Sequence, residues 1–252
     1  MKIAGLQYAP VWEDKPANFA RVRRAARLAA EHGVDWLVLP EMFATGFSLR
    51  PELTAEPEDG PTMTFLRELA QQLRLGLIGG LVLAGGGKGR NSAVAVDERG
   101  ALLASYTKTH LIGLLGEDAV HQPGDRPQPF ALDGHRAACF VCYDLRFPEL
   151  FRQVADDCAL VCVIASWPDS RQRHWDLLLP ARAVENQCYV VGVNRVGRGG
   201  GLAFRGGSAI YDPLGDCLAF AGSGEDLVMA EIDLDRVATI REEMPFLADR
   251  RF

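Results

Sequence analysis

Three residues with complementary chemistry each follow an apolar segment of the sequence. Glu41 follows VDWLVLP, Lys108 follows ALLASYT and Cys142 follows AACFV. In open α/β sheets, the carboxyl ends of the strands are where side chains converge on a ligand. If these segments are strands, their placement would bring a carboxylate, an ammonium group and a thiol to one site.

Such a trio can carry out acyl transfer through a covalent intermediate. A free thiol with a pKa near ~8.5 is a weak nucleophile at neutral pH, but a neighbouring ammonium group favours the thiolate, and a carboxylate can take the proton. Lys108 and the backbone N–H of Tyr143 would donate to the oxyanion of the tetrahedral intermediate. Glu41 would then deprotonate the water that hydrolyses the thioester. Placement alone leaves open the alternative that these strand-end charges are solvated.

The elements that would position these residues follow from the spacing of apolar side chains. Asp14 is the candidate N-cap of the first helix. The pattern predicts helices at 16–31, 61–73, 146–156 and 170–187. It predicts strands at 3–8, 34–40, 136–142, 160–166 and 188–196, with hairpins at 75–108 and 206–234.

The third quarter of the chain repeats the strand-helix-strand unit of the first quarter. Two similar halves, each with helices beside sheet strands, indicate a layered α/β fold with pseudo-twofold halves. Neither a linker nor a low-complexity segment divides them. We therefore expect residues 1–252 to form one domain.

Composition and charge narrow the class of protein. The chain is 48% hydrophobic and 24% charged, and its net charge of −6, with no block of Lys or Arg, argues against a nucleic-acid partner. The N-terminus lacks the apolar core of a signal peptide. The longest apolar stretches, such as 158–167, fall short of the ~20 residues that span a bilayer. We expect a cytoplasmic protein with no membrane contact.

A rival interpretation is a redox or metal site built on Cys139 and Cys142. A redox pair normally opens a helix, whereas Cys139 lies inside the predicted strand, and the sequence has no second C-x-x-C at zinc spacing. The six cysteines lie mostly in apolar runs, which suits reduced, buried thiols. The histidines have no metal spacing, so we expect neither a metal nor a cofactor.

The local sequence around the three residues resembles the nitrilase superfamily of carbon–nitrogen hydrolases. The matching segments are LPEMFATGF, YTKTHL, CYDLRFPEL, ASWP, LLPARAVENQCYVVGVNRVG and GGSAIYDPLG, in order along essentially the whole chain. The resemblance implies a four-layer α-β-β-α sandwich and a catalytic triad of Glu41, Lys108 and Cys142. It also implies a second glutamate near the lysine, for which Glu117 is the best match, although Asp118 is adjacent. A homodimer without a cofactor is implied as well.

Within the superfamily, PEMFATGF and SWPDSRQRHW are most similar to the omega-amidase branch. That resemblance implies release of ammonia from the terminal amide of small 2-oxo acid amides. Three other activities use the same triad and stay open: aliphatic amidase, N-carbamoyl amide hydrolase and nitrilase. A non-catalytic binding protein on the same fold is a further alternative.

Five residues are candidates for contact with the substrate: Phe43, Tyr143, Trp167, Arg171 and Arg173. The aromatic residues could equally belong to the core, and the arginines could be solvated. An arginine in the pocket would bind a substrate carboxylate through two parallel hydrogen bonds.

For a dimer, the helix after Cys142 and the terminal segment 244–252, with Phe246, Leu247 and Phe252, are candidate contact elements. These apolar residues could equally pack against their own chain.

Overall fold

Two six-stranded sheets form the centre of the computed structural model, which describes residues 1–251. The strands of the first sheet are β1 (Lys2–Gln7), β2 (Trp36–Val38), β3 (Gly76–Gly85), β4 (Lys88–Val96), β5 (Leu102–Thr107) and β14 (Asp226–Glu231). Those of the second are β6 (Phe130–Leu132), β7 (His135–Val141), β8 (Leu160–Ala165), β9 (Tyr189–Asn194), β12 (Ala209–Tyr211) and β13 (Cys217–Phe220). A separate ribbon joins β10 (Val196–Gly199) to β11 (Leu202–Arg205).

The two sheets have the same internal plan. In the first sheet, β1, β2 and β3 are parallel. Strand β14 is antiparallel to β1 at one edge, and at the other β4 is antiparallel to β3 and β5 is antiparallel to β4. In the second sheet, β7, β8 and β9 are parallel. Strand β6 is antiparallel to β7 at one edge, and at the other β12 is antiparallel to β9 and β13 is antiparallel to β12. The expected pseudo-twofold relation between the halves is therefore confirmed.

Helices cover the outer face of each sheet. The helices are α1 (Lys15–Glu31), α2 (Pro51–Thr54), α3 (Pro61–Leu73), α4 (Glu117–Val120), α5 (Pro148–Arg152), α6 (Gln172–Asn186) and α7 (Asp235–Glu243). The buried faces of α1 and α3 share one core cluster with side chains of the first sheet, while α5 and α6 pack on the second. The sheets meet closely at Gly5, where an added Cβ would lie 2.6 Å from Val193 Cγ2. These layers confirm the predicted α-β-β-α sandwich.

Local signals in the sequence explain the start and the buried face of α1. Asp14 caps α1 as predicted, because its Oδ1 accepts a hydrogen bond from the backbone N of Ala17 at 2.9 Å. The buried residues Val22, Ala26 and Ala29 line the inner face of that helix. The predicted helix at 61–73 has the bounds of α3.

One prediction about the helices was wrong, and one helix of the C-terminal region was not predicted. The single helix expected at 146–156 is divided into a 3₁₀ segment, Cys142–Arg146, and the short α5. The division follows from Pro148, which disfavours a helical conformation for Phe147 and suits the first position of a new helix. Helix α7 was not predicted, because Val237 and Ile240 are its only buried residues.

No helix within residues 1–251 combines the length and the apolar character needed to cross a membrane. Among the same residues, no cluster of three or more His, Cys, Asp or Glu side chains has the geometry of a metal site. Cys139 lies opposite Cys162 on β8, and both side chains are buried. The first cysteine of the C-x-x-C pair is thus a buried strand residue, as expected.

Candidate active site

The residues with complementary chemistry lie just beyond the ends of strands. Glu41 follows β2, Lys108 directly follows β5, and Cys142 directly follows β7. Ser166 directly follows β8 and lies beside Glu41, because its backbone N donates to Glu41 Oε2 at 2.7 Å. The ends of the parallel strands β2, β7 and β8 thus meet at one place in the sandwich, as open α/β sheets allow.

A fully buried ammonium group joins two fully buried carboxylates at this place. Lys108 Nζ lies 3.2 Å from Glu41 Oε1 and 2.8 Å from Glu117 Oε2. The backbone N of Ile112 also donates to Glu117 Oε2, at 2.8 Å. The neighbouring acid Asp118 is exposed on α4. Of the two adjacent acids, the structure therefore brings Glu117 to the lysine.

Asn91 connects the two carboxylates and was not among the predicted residues. It is fully buried on β4, and its Nδ2 donates to Glu41 Oε1 at 2.7 Å and to Glu117 Oε1 at 2.9 Å. A signal was present in the sequence, since Asn91 is an amide residue at the start of the apolar strand segment NSAVAV. That pattern does not say which groups the amide contacts.

Cys142 lies at a sharp turn between β7 and the 3₁₀ segment. Its φ of +49° is in the left-handed region, which is costly for a residue with a Cβ and is concentrated at functional sites. Buried Asp144 holds the turn, since its Oδ2 accepts from the backbone N of Val141 at 3.1 Å.

Asp144 also ties the Cys142 turn to the chain around Lys108. Its Oδ2 accepts from the hydroxyl of Tyr106 at 2.7 Å, and its Oδ1 accepts from the backbone N of His110 at 2.9 Å. Tyr106 and His110, one on each side of Lys108, are thereby hydrogen-bonded to Asp144, two positions after Cys142. Asp144 therefore connects the chain segment that carries the lysine to the turn that carries the cysteine.

Burial and the neighbouring charges set the protonation states. Burial alone would lower the pKa of Lys108, but the carboxylates of Glu117 and Glu41 raise it well above its ordinary value. Burial alone would raise the pKa of Glu117, but the Lys108 ammonium and the hydrogen bonds from Ile112 and Asn91 hold it below its ordinary value. Lys108 is therefore charged and Glu117 is ionised at neutral pH.

The pKa of Cys142 differs from the sequence-based expectation. Burial and the Glu41 carboxylate raise it well above its ordinary value, and the Lys108 charge opposes them only in part. The Lys108 ammonium favours the thiolate, as expected, but its effect on the pKa of Cys142 is outweighed by burial and the Glu41 carboxylate. Cys142 is a thiol until a base removes its proton.

A narrow cavity opens onto the thiol. The residues that line it are Phe47, Ile112, Leu115, Cys142, Tyr143, Arg146, Ser166, Trp167, Pro168 and Arg171. Three of the predicted substrate contacts, Tyr143, Trp167 and Arg171, are among them. The wall is mostly apolar, with two arginines, so the cavity suits a small molecule that bears an anionic group.

Two of the predicted substrate contacts do not line the cavity. Phe43 is fully buried in the core between the first sheet and its helices, with its ring centroid 6.3 Å from that of Phe65. Arg173 is exposed near the start of α6. Phe43 lies two residues after Glu41, and the chain turns there so that the phenyl ring enters the core.

Arg146 lines the cavity, although it was not among the predicted substrate contacts. Its guanidinium lies 4.7 Å from the ring centroid of Trp167 and 5.6 Å from that of Tyr143, and its Nη1 is 3.1 Å from His174 Nδ1. Partial burial, followed by the charge of Arg171, lowers the pKa of Arg146. Within residues 1–251, neither Arg146 nor Arg171 forms an ion pair with a carboxylate.

The fold and this site define a class of protein in which a buried thiol, a carboxylate and an ammonium group meet in an α-β-β-α sandwich. The family model for carbon-nitrogen hydrolases matches residues 2–242. The chain therefore belongs to the carbon-nitrogen hydrolase family, as the resemblance implied.

Individual relatives agree with this assignment. The chain is 37% identical to a 2-oxoglutaramate amidase of Bacillus subtilis (strain 168), over 99% of this chain and 97% of the relative. It is 35% identical to the omega-amidase YafV of Escherichia coli (strain K12), over 99% of this chain and 96% of the relative. A solved structure of an amidase from Nesterenkonia sp. AN1 carries acrylamide added to its active site cysteine. It matches with a TM-score of 0.89 and 31% identity, over 100% of this chain and 96% of that one.

Proposed function

We propose that this carbon-nitrogen hydrolase is an omega-amidase that releases ammonia from the terminal amide of a small 2-oxo acid amide. The observation that carries the proposal is the pair of guanidinium groups, Arg146 and Arg171, in the same cavity as the Cys142 thiol. Two like charges held together without a carboxylate partner favour an anionic ligand, and a 2-oxo acid amide carries a carboxylate at one end. The names of the relatives from Bacillus subtilis and Escherichia coli support the same substrate class.

In the proposed mechanism, Cys142 attacks the amide carbon while Glu41 takes the thiol proton. A base is required because burial keeps the cysteine in its thiol form. The negative charge that develops on the amide oxygen is stabilised by the Lys108 ammonium and the backbone N–H of Tyr143. The protonated Glu41 then gives the proton to the departing nitrogen, so that ammonia and a thioester on Cys142 are formed.

The second half of the proposed reaction uses the same groups. Glu41 removes a proton from water, the hydroxide attacks the thioester carbon, and the carboxylic acid leaves as the Cys142 sulfur regains a proton. Glu117 holds the Lys108 ammonium through both of its carboxylate oxygens, at 3.0 and 2.8 Å. We assign it the role of orienting that ammonium, so that Glu41 remains free to move protons.

A panel of amides tests the proposed substrate class. We expect the purified protein to release ammonia fastest from 2-oxo acid amides, and much more slowly from neutral amides, nitriles and N-carbamoyl amino acids. The physical reason is that neutral amides and simple nitriles lack a carboxylate for the two arginines, while an N-carbamoyl amino acid presents a ureido carbon that is less electrophilic than an amide carbon. A higher kcat/KM for a nitrile or an N-carbamoyl compound would replace the omega-amidase proposal with the corresponding alternative.

Arg146→Met is expected to raise KM for a 2-oxo acid amide by about 100-fold, the scale of hydrogen bonds between charged groups. The same change should alter kcat/KM for a neutral aliphatic amide by less than about threefold, since methionine still packs against Trp167. Initial rates of ammonia release at a series of substrate concentrations measure KM for the first amide and kcat/KM for the second. The matched control is Arg173→Met, which removes a nearby arginine outside the cavity and is expected to leave both substrates unaffected. Equal losses on both substrates would show that Arg146 acts only on the structure.

We also propose a homodimer. Support comes from apolar side chains exposed on α6 and β13: Leu177 is 59% exposed, Val184 51% and Phe220 61%. On the terminal segment predicted to form contacts, Phe246 is 61% exposed, and Phe252 lies outside the described residues. Sedimentation equilibrium tests the proposal, and a monomer at micromolar concentration would contradict it.

A further inference from the structure

We infer that Asn91 is a positioning residue that makes Oε2 of Glu41 the oxygen that accepts the proton of Cys142. The inference rests on the proposed function, in which Glu41 is the base. Asn91 is fully buried and contacts three groups of the site. Its side chain donates to both carboxylates, and its backbone O accepts from the backbone N of Lys108 at 2.8 Å.

The hydrogen bonds of Glu41 distinguish its two oxygens. A carboxylate oxygen has two lone pairs. Oε1 receives Asn91 Nδ2 at 2.7 Å and Lys108 Nζ at 3.2 Å, so both of its lone pairs are engaged. Oε2 receives the backbone N of Ser166 at 2.7 Å and keeps one lone pair. Ser166 lines the same cavity as the Cys142 thiol, so Oε2 is the Glu41 oxygen that is bound at the wall of the nucleophile's cavity.

The neutral amide suits this position because of the charge balance around it. The charged and titratable groups that face the two carboxylates are Lys108, Cys142 and, beside Glu117, His121. One ammonium serves two carboxylates, so one negative charge remains without an ionic partner. An amide supplies one N–H to each carboxylate without adding a positive charge that would weaken Glu41 as a base. It also cannot itself take the proton of the thiol.

Asn91→Leu removes both donors and keeps the approximate size of the side chain. We expect kcat/KM for ammonia release to fall by about 100-fold, because Oε1 of Glu41 is no longer held by Asn91 and the carboxylate loses its fixed orientation toward the thiol. We also expect the acid limb of the pH profile to move about one pH unit upward, because the ionised carboxylate is then less favoured over the protonated one. A residue that only supported the fold would not move this limb.

The second readout does not need a substrate. The rate at which iodoacetamide alkylates Cys142, followed by the mass of the peptide that contains it, should show the same upward shift of the acid limb. If the parent protein releases no ammonia from any amide, the proposed function fails, yet the alkylation profile still tests Asn91. An alkylation profile in Asn91→Leu that coincides with that of the parent would overturn the inference.

The matched control is Ser92→Ala on the same strand. Ser92 is also fully buried. Its hydroxyl is hydrogen-bonded to Arg90 O at 3.3 Å and to Thr107 Oγ1 at 3.1 Å, and not to the carboxylates. The acid limb of the pH profile of Ser92→Ala should stay at the position it has in the parent protein. An equal shift in this control would assign the effect to strand packing and would equally overturn the inference.

Asn91→Asp keeps the shape of the side chain and carries the test if the leucine variant does not fold. A third carboxylate next to two others should lower kcat/KM by at least about 1,000-fold at neutral pH. The loss should shrink as pH falls, because a protonated Asp again offers one donor. Parental activity and an unchanged pH profile in a folded Asn91→Asp protein would rule out the proposed role.

Discussion

Cys142→Ala is expected to lower kcat for ammonia release by at least about 10,000-fold while the protein remains folded, the scale observed when a catalytic nucleophile is removed. The reason is geometric. Cys142 is the one cysteine among the residues that line the cavity in the described chain, so no other thiol there can form the acyl intermediate. Alanine has the same conformational cost as cysteine at a φ of +49°, so the fold should not suffer from the backbone.

Steady-state ammonia release and mass spectrometry test this prediction together. The parent protein should carry a substrate-derived acyl group on Cys142 when the reaction is stopped early, and the alanine variant should carry none. Cys139→Ala is the matched control, since Cys139 is also buried, lies three positions earlier and faces Cys162 on β8. It is expected to retain activity within about threefold. Turnover in Cys142→Ala close to that of the parent would refute the covalent mechanism.

Lys108→Met is expected to have the second-largest effect, on both activity and stability. Its ammonium group is the cation that lies between Glu41 and Glu117, all three side chains being fully buried. Removing one partner from a buried ion pair typically costs about 3–5 kcal/mol, because a charge remains buried without compensation. We expect a fall of that size in the free energy of unfolding at neutral pH, and a loss of kcat/KM of at least about 1,000-fold from the missing oxyanion donor.

The pH dependence of this destabilisation has a definite sign. In the parent, the folded-state pKa of Glu117 is held below its ordinary value, so its contribution to stability is present at neutral pH and lost as pH falls. In Lys108→Met the main cause of that lowering is gone, and burial raises the pKa of Glu117 instead. The variant should therefore recover stability relative to the parent as the carboxylates become protonated in acid. Urea unfolding across a range of pH measures the difference.

A double variant separates charge from catalysis. Lys108→Met combined with Glu117→Gln removes one cation and one anion, so it should be more stable than Lys108→Met alone. It should remain inactive, because glutamine does not replace the ammonium group. If Lys108→Met were as stable as the parent at neutral pH, the burial of the Glu41 and Glu117 carboxylates would not require the charge of the lysine.

The parts of the fold that could be predicted are those whose signals are local. Helix α1 has a cap at Asp14 and an inner face of small apolar residues, so its bounds follow from nearby residues. The helix expected after Cys142 is interrupted before Pro148, because the restriction that this proline places on Phe147 overrides the helical spacing of the apolar residues. Helix α7 buries few side chains and depends on the rest of the molecule for its contacts.

In the candidate site too, residues with a local sequence signal were predicted and residues that depend on distant partners were not. Glu41, Lys108 and Cys142 were predicted because each stands in a distinctive segment of sequence. Asn91 was missed because its partners, Glu41 and Glu117, are 50 and 26 residues away. The distinction between Arg146, which lines the cavity, and Arg173, which does not, depends on the directions in which a 3₁₀ turn and α6 leave their strands.

The amino-acid sequence by itself determined the chemistry available to this protein: a carboxylate, an ammonium group and a thiol, each at the end of a strand. The tertiary structure decided which groups meet. It brought Glu117 rather than Asp118 to Lys108, kept Cys142 as a thiol, placed Phe43 in the core and set Arg146 beside Arg171. The physical reason is that burial and hydrogen bonding are non-local. Glu41, the proposed base, is held by the backbone of Ser166, which is 125 residues further along the chain.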